Sequence, residues 1–121
     1  MKNNDFKDLR VWQHSMAICK DIYKLLRLLP IEERFALADQ IRRSTISVPS
    51  NIAEGQRRGS DREFLHFLSI SSGSLAELMT QLKLCVDLEY VPESEMTPIM
   101  DELEEIDKML NGLKRSISHR L

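Results

Sequence analysis

The sequence predicts an all-α fold, an antiparallel up-down-up-down four-helix bundle, on three observations. Four segments carry apolar residues at alternating three- and four-residue intervals. No segment alternates apolar and polar residues as a half-buried strand would. The joints between segments are short and carry proline, glycine or a helix-capping serine, which makes consecutive helices antiparallel neighbours. A chain of 121 residues has room for one core and not two, and 42% hydrophobic with 30% charged residues suits a soluble globular domain. One domain is expected over residues 1–121, with 1–6 as a flexible N-terminal tail.

The first helix carries its stripe on Leu9, Trp12, Met16, Cys19, Tyr23 and Leu26, with Trp12 read as an end-plug of the core. Leu29-Pro30 closes it, because the residue before proline is pushed out of helical geometry. The second helix has a weaker stripe, Ala38, Ile41, Thr45, Val48 and Ile52, and contains Pro49. A proline inside a helix removes one backbone bond at a cost of about 3 kcal/mol, so a kink is expected there. Gly59 is placed to close the helix as a left-handed cap.

Ser60-Asp61-Arg62-Glu63 reads as a capping box, the serine taking the amide of Glu63 while Glu63 reaches back. It opens the third helix, whose stripe is Phe64, Leu68, Ser71, Leu75, Leu78, Leu82 and Cys85, and which Val91-Pro92 is expected to end. Its small-residue run Ser69-Ile70-Ser71-Ser72-Gly73-Ser74 fits close helix packing inside the bundle or, less directly, a subunit contact. The last stripe is Ile99, Leu103, Ile106, Leu110, Leu113 and Ile117, with a start near Glu93 or at Thr97-Pro98.

Several function classes are excluded or disfavoured. No apolar run approaches the roughly 20 residues that cross a membrane. The polar start Met1-Lys2-Asn3-Asn4-Asp5 is unlike a signal core, so a cytoplasmic protein is expected. Cys19 and Cys85 are too few for a disulfide scaffold and lie on core stripes, where cysteine acts as a small hydrophobe. A di-iron bundle needs two Glu-x-x-His pairs and two further glutamates facing inward. Here only Glu63 and His66 have that spacing, and they face away if Phe64 and Leu68 face the core. His14, His66 and His119 all fall on outer positions. No phosphate-binding glycine loop or nucleophile motif is present. The expectation is therefore no catalytic residue, no metal, no cofactor and no small-molecule substrate.

The net charge of −2 conceals a split. Residues 42–62 hold five arginines against Glu54 and Asp61, a net of +3, whereas residues 87–107 hold nine acids and no Lys or Arg. Such asymmetry favours nucleic acid at the basic end, head-to-tail self-assembly, or both. Arg43 and Arg57 are 14 residues apart, near four full turns, which on an ideal helix puts them on one face roughly 21 Å apart. Flanked by Arg42, Arg58 and Arg62, they suit phosphates of a nucleic-acid backbone. The competing reading is a solvated face, or pairing with the acidic fourth helix of another subunit. No exposed aromatic clearly accompanies them for base stacking. Asn51, on the flank of the second stripe, is read as a hydrogen-bonding lock to a neighbouring helix or as a ligand contact.

Phe6-Lys7-Asp8-Leu9-Arg10-Val11-Trp12-Gln13, Ile22-Tyr23, Gln40-Ile41-Arg42-Arg43, Val48-Pro49-Ser50-Asn51-Ile52-Ala53-Glu54-Gly55, Ser60, Glu63-Phe64, Phe67-Leu68, Gly73-Ser74, Glu77-Leu78 and Thr80-Gln81-Leu82 occur in that order. Together they resemble the bacterial four-helix-bundle proteins encoded in intervening sequences of 23S ribosomal RNA genes, over about Phe6 to Leu121. The accessory variability determinant of diversity-generating retroelements looks like a cousin. The resemblance implies a ring-like homopentamer with a basic surface, and the cousin binds its reverse transcriptase and nucleic acid. RNA or a nucleic-acid-processing protein is thus the implied partner beside further copies of the chain. Arg42, Arg43, Arg57 and Arg58 match basic family positions, and Asn51, Glu54 and Gly55 match the signature without an assigned chemical role. The acidic 87–107 stretch departs from that basic character. The function expected is a non-enzymatic, self-assembling accessory protein that binds RNA through a basic face; the alternative is an oligomeric interaction scaffold with the arginines in subunit or partner contacts.

Overall fold

The structure is a computed structural model and describes residues 5–121. Four α-helices, α1 (Arg10–Leu25), α2 (Leu37–Arg57), α3 (Asp61–Asp87) and α4 (Glu93–Ser118), make up the fold, with no strand among the described residues. Each neighbouring pair runs antiparallel. Cys19 of α1 lies against Thr45 of α2, and Val48 of α2 against Ser71 of α3. Asp61, at the start of α3, meets Arg120 just past the end of α4, and His14 of α1 meets Glu102 of α4. The cycle closes a bundle whose core draws on all four helices, with Ile22, Ile52, Leu82 and Leu110 fully enclosed. Each such side chain contributes roughly 1.5–3 kcal/mol by leaving water.

The stripes expected for α2, α3 and α4 are the faces that are buried, Phe64 and Leu113 being partly covered at their edges. The stripe expected for α1 is not. Its buried face is Val11, Ser15, Ile18, Ile22 and Leu25, whereas Met16 is 45% and Tyr23 40% exposed. Of the expected set only Leu26 is buried, and Leu9, Trp12 and Cys19 are half-covered. Ser15 enters the core without loss because its hydroxyl donates to the Val11 carbonyl at 2.7 Å.

Helix ends follow the capping chemistry with three differences. Helix α1 stops at Leu25 and runs on as a 3₁₀ turn over Leu26–Leu28 before Pro30. Ser60 accepts from the Glu63 amide at 3.1 Å, and Gly59 has φ of 89°, as expected. Glu63, however, turns to Arg58 at 3.5 Å rather than back to the cap. Helix α3 ends at Asp87, not at Val91-Pro92, because Glu89 takes a left-handed φ of 64° and the Tyr90 amide returns to the Cys85 carbonyl at 2.9 Å. The start of α4 is at Glu93, with Pro98 inside the helix.

Pro49 leaves α2 unbroken from Leu37 to Arg57. The carbonyl that its missing amide would have bonded is that of Thr45, and the Cys19 thiol lies 3.9 Å from it. Of the expected tail, residues 1–4 lie outside the described residues. Asp5 caps a 3₁₀ turn over Phe6–Asp8 by accepting from the Lys7 amide at 2.9 Å, and Phe6 packs edge-on to Trp12 at 5.3 Å.

Candidate nucleic-acid interface

The five arginines do not form one continuous face. Helix α2 places Arg42 and Arg43 near its start and Arg57 at its last residue, so the rise of about 21 Å between Arg43 and Arg57 separates two ends of the bundle. Near the first end Arg42 is held, donating to the Arg34 carbonyl at 2.8 Å and lying 3.6 Å from Asp39. Arg43 is 83% exposed in its side chain and reaches Asp39 only at 4.0 Å.

At the other end Arg57, Arg58 and Arg62 come together with residues far off in sequence. Arg58 pairs with Glu54 at 2.9 Å and with Glu63 at 3.5 Å, and its guanidinium lies 4.8 Å from the centre of the Phe67 ring. Arg57 lies 5.2 Å over Phe6 and has no carboxylate within 4 Å among the described residues; the same holds for exposed Arg62. The antiparallel order adds Lys7 and Arg10 from the start of the chain and Arg115 and Arg120 from its end, whereas Lys114 reaches along the bundle to donate to Ser72 at 3.4 Å. Arg120 is engaged by Asp61 through two hydrogen bonds of 3.0 Å. That contact, chiefly the hydrogen bond, holds the Asp61 carboxyl below the usual carboxylate range. A depression of about 510 Å³ opens here among Gln56, Arg57, Ser60, Phe64 and Arg120. The rings beside these arginines, Phe6 and Phe67, are half-buried and lie under the guanidinium groups, so neither is an exposed stacking surface.

Four further cations were missed in the sequence. Lys20, Lys24 and Arg27 project from the outer side of α1 and the turn after it, and Arg34 from the following connection. Their signal was available, since Lys20, Lys24 and Arg27 follow the 4-then-3 spacing of one helix face. The acids of residues 87–107 lie mostly on the outer side of α4, where Asp101, Glu104 and Glu105 are exposed.

Of the signature residues, Gly55 has a mechanical role. It is buried where α2 meets α3, and a Cβ there would stand 2.6 Å from the Phe67 Cβ and 3.2 Å from Phe64 Cδ1. Asn51 does not reach the neighbouring helix directly. Its amide donates to the Ser47 carbonyl and hydroxyl, both at 2.9 Å, and Ser47 in turn meets Ser74 of α3 at 2.7 Å. The buried hydroxyl of Ser71 donates to the Val48 carbonyl at 2.8 Å, so the small-residue run of α3 serves the α2–α3 seam. Glu54 belongs to the Arg58 pair.

The misassigned stripe of α1 forms the other notable surface. Trp12, Met16 and Tyr23 join Ile46, Pro49 and Ala53 of α2 around an apolar groove of about 500 Å³. Cys19 lines it, its thiol pushed up by burial, and Cys85 is sealed in the core with its pKa pushed up to about 11, chiefly by the same cause. Both shifts keep the thiols protonated and weakly nucleophilic. His14 is half-buried rather than on an open outer position, with Nδ1 2.7 Å from Glu102. His66 packs edge-on to Phe67 at 5.4 Å, and among the described residues no three His, Cys, Asp or Glu side chains group as metal ligands. No described helix is long and apolar enough to cross a membrane.

Comparison with known proteins agrees with this architecture. No curated protein matches the sequence. A crystal structure of a protein of unknown function from the S23 ribosomal protein family, from Bacteroides thetaiotaomicron, superposes with a TM-score of 0.79 at 28% identity, covering 86% of this chain and 97% of that one. The family pattern of the 23S rRNA-intervening sequence proteins matches residues 7–112, nearly the whole bundle, and the chain belongs to that family.

Proposed function

We propose that the chain is a non-enzymatic, self-assembling accessory protein of the cytoplasm that binds RNA by its phosphates. One observation carries this reading: the bundle gathers Arg57 and Arg62, both without a carboxylate partner among the described residues, at the end where Lys7, Arg10 and Arg115 also lie. Guanidinium groups left unpaired at a surface are ready to replace phosphate counterions, which gives affinity with little sequence preference and strong salt dependence. Arg58, held between Glu54 and Glu63, offers hydrogen-bond donors from a fixed position rather than net charge, and Arg42 and Arg43 form a separate cationic site toward the far end of α2. Charge reversal at Arg57 and Arg62 tests it. Loss of RNA binding with the oligomer intact supports the reading, and unchanged binding refutes it.

A second reading, an oligomeric interaction scaffold, is favoured by the α1–α2 groove. Apolar side chains as large as Trp12, Met16, Tyr23 and Ile46 at one surface mark a contact site. A second copy of the chain is the occupant this reading takes, because Lys20 and Lys24 border the groove while Asp101, Glu104 and Glu105 stand exposed on α4. The ring-like pentamer implied by the resemblance is the assembly expected. Met16→Glu with Ile46→Glu reduces the mass in solution to that of a monomer if this holds, and leaves it unchanged if the groove is not the contact.

A further inference from the structure

We propose that the pocket between the end of α1 and the start of α2 is a phosphate-monoester site formed by Arg27, Arg34 and Arg42. The three guanidinium-bearing residues line one cavity of about 310 Å³ with Leu26, Pro30 and Ile31. They come from three separate pieces of backbone: the 3₁₀ turn after α1, the connection, and the second turn of α2. Nothing in their sequence spacing announces the cluster.

The chemistry selects a compact dianion. Arg42 is partly buried, and one nitrogen, Nη2, is occupied by the Arg34 carbonyl at 2.8 Å. A guanidinium has five N–H donors, so that anchor fixes its plane and leaves donors for a ligand. Arg27 and Arg34 have no carboxylate within 4 Å among the described residues. The acids nearby are Asp39, 3.6 Å from Arg42, exposed Glu32, and Glu33. Glu33 is turned away, accepting from the Tyr90 hydroxyl at 2.8 Å and the Leu37 amide at 3.3 Å. Arginine forks match phosphate oxygens in pairs, which favours a terminal phosphate with several free oxygens over a bridging diester with two. The volume lies at the low end for small-ligand pockets, enough for one phosphate and the start of its substituent. The apolar wall of Leu26, Pro30 and Ile31 accepts that substituent.

This site stands on its own geometry and does not depend on the RNA reading. Inorganic phosphate, adenosine monophosphate, and a trinucleotide with either a 5′-phosphate or a 5′-hydroxyl are titrated into the native oligomer. The arginine Nε–H resonances are followed by NMR. Saturable shifts at Arg27, Arg34 and Arg42 are expected, with affinity falling about tenfold or more in Arg27→Gln and in Arg34→Gln. A phosphorylated trinucleotide that binds about tenfold tighter than its hydroxyl counterpart and than the mononucleotide supports the site with an RNA end as source. Equal binding of mononucleotide and phosphorylated trinucleotide supports it with a free metabolite as source. Absence of shifts with every phosphate in the native protein overturns the proposal, and so does binding that both substitutions leave unchanged.

Discussion

Gly55 of α2 packs directly against Phe67 of α3: a Cβ on Gly55 would lie 2.6 Å from the Cβ of Phe67. That partner atom is fixed to the backbone, so no change of rotamer clears it. Gly55→Ala gains roughly 1 kcal/mol of helix propensity but forces the two helices apart, and overpacking of this kind costs about 1–3 kcal/mol. Net destabilisation of up to about 2 kcal/mol is expected in urea unfolding. Gly73, in the middle of α3, has open space where its Cβ would be, and Gly73→Ala is expected to stabilise by up to about 1 kcal/mol. The opposite signs test the seam, because propensity alone makes both stabilising.

The orientation of α1 yields a second pair of variants. Ile22 is fully buried, so Ile22→Ala is expected to cost about 2–5 kcal/mol in denaturant unfolding. Met16 is 45% exposed, and Met16→Ala at a concentration where the chain is monomeric is expected to cost under about 1 kcal/mol. Equal losses at the two positions contradict the observed face.

The same helix shows where sequence reading stopped. Two apolar stripes run along α1, and the one with Trp12, Met16 and Tyr23 looks the more hydrophobic, while the buried one is interrupted by Ser15. A serine that satisfies itself on its own helix is invisible to periodicity, as is a large apolar side chain kept for a surface groove. The other three helices have one stripe each, and those were legible. The arginines were legible along one helix only: the 14-residue spacing sets Arg43 and Arg57 roughly 21 Å apart, and the length of α2 carries them to different ends of the bundle. Only the antiparallel closure brings Arg120 into the same depression as Arg57. The role of Gly55 needs the path of a second backbone, which no local pattern encodes.

Asp61 and Arg120 supply a pH prediction. The Asp61 carboxyl is held below the usual range chiefly by its hydrogen bond to Arg120, so the unfolded chain binds this proton more readily than the folded one. The pair's contribution is then present above the ordinary carboxylate pKa of about 3.9 and is lost as pH falls through the lowered value. Arg120→Ala is expected to move the Asp61 midpoint up toward the ordinary range in an NMR titration. An unmoved midpoint shows that the contact has no influence in solution.

The central claim is that unpaired arginines at one end of the bundle hold RNA phosphates. Its most direct test is RNA affinity of the native protein across a salt series, beside Arg57→Gln/Arg62→Gln, with the oligomer mass recorded at each point. The account predicts affinity that falls steeply with salt, a log–log slope smaller by about 1–2 in the variant, and the same mass for both. Equal slopes for the two proteins, or no binding by the native protein at low salt, contradict it.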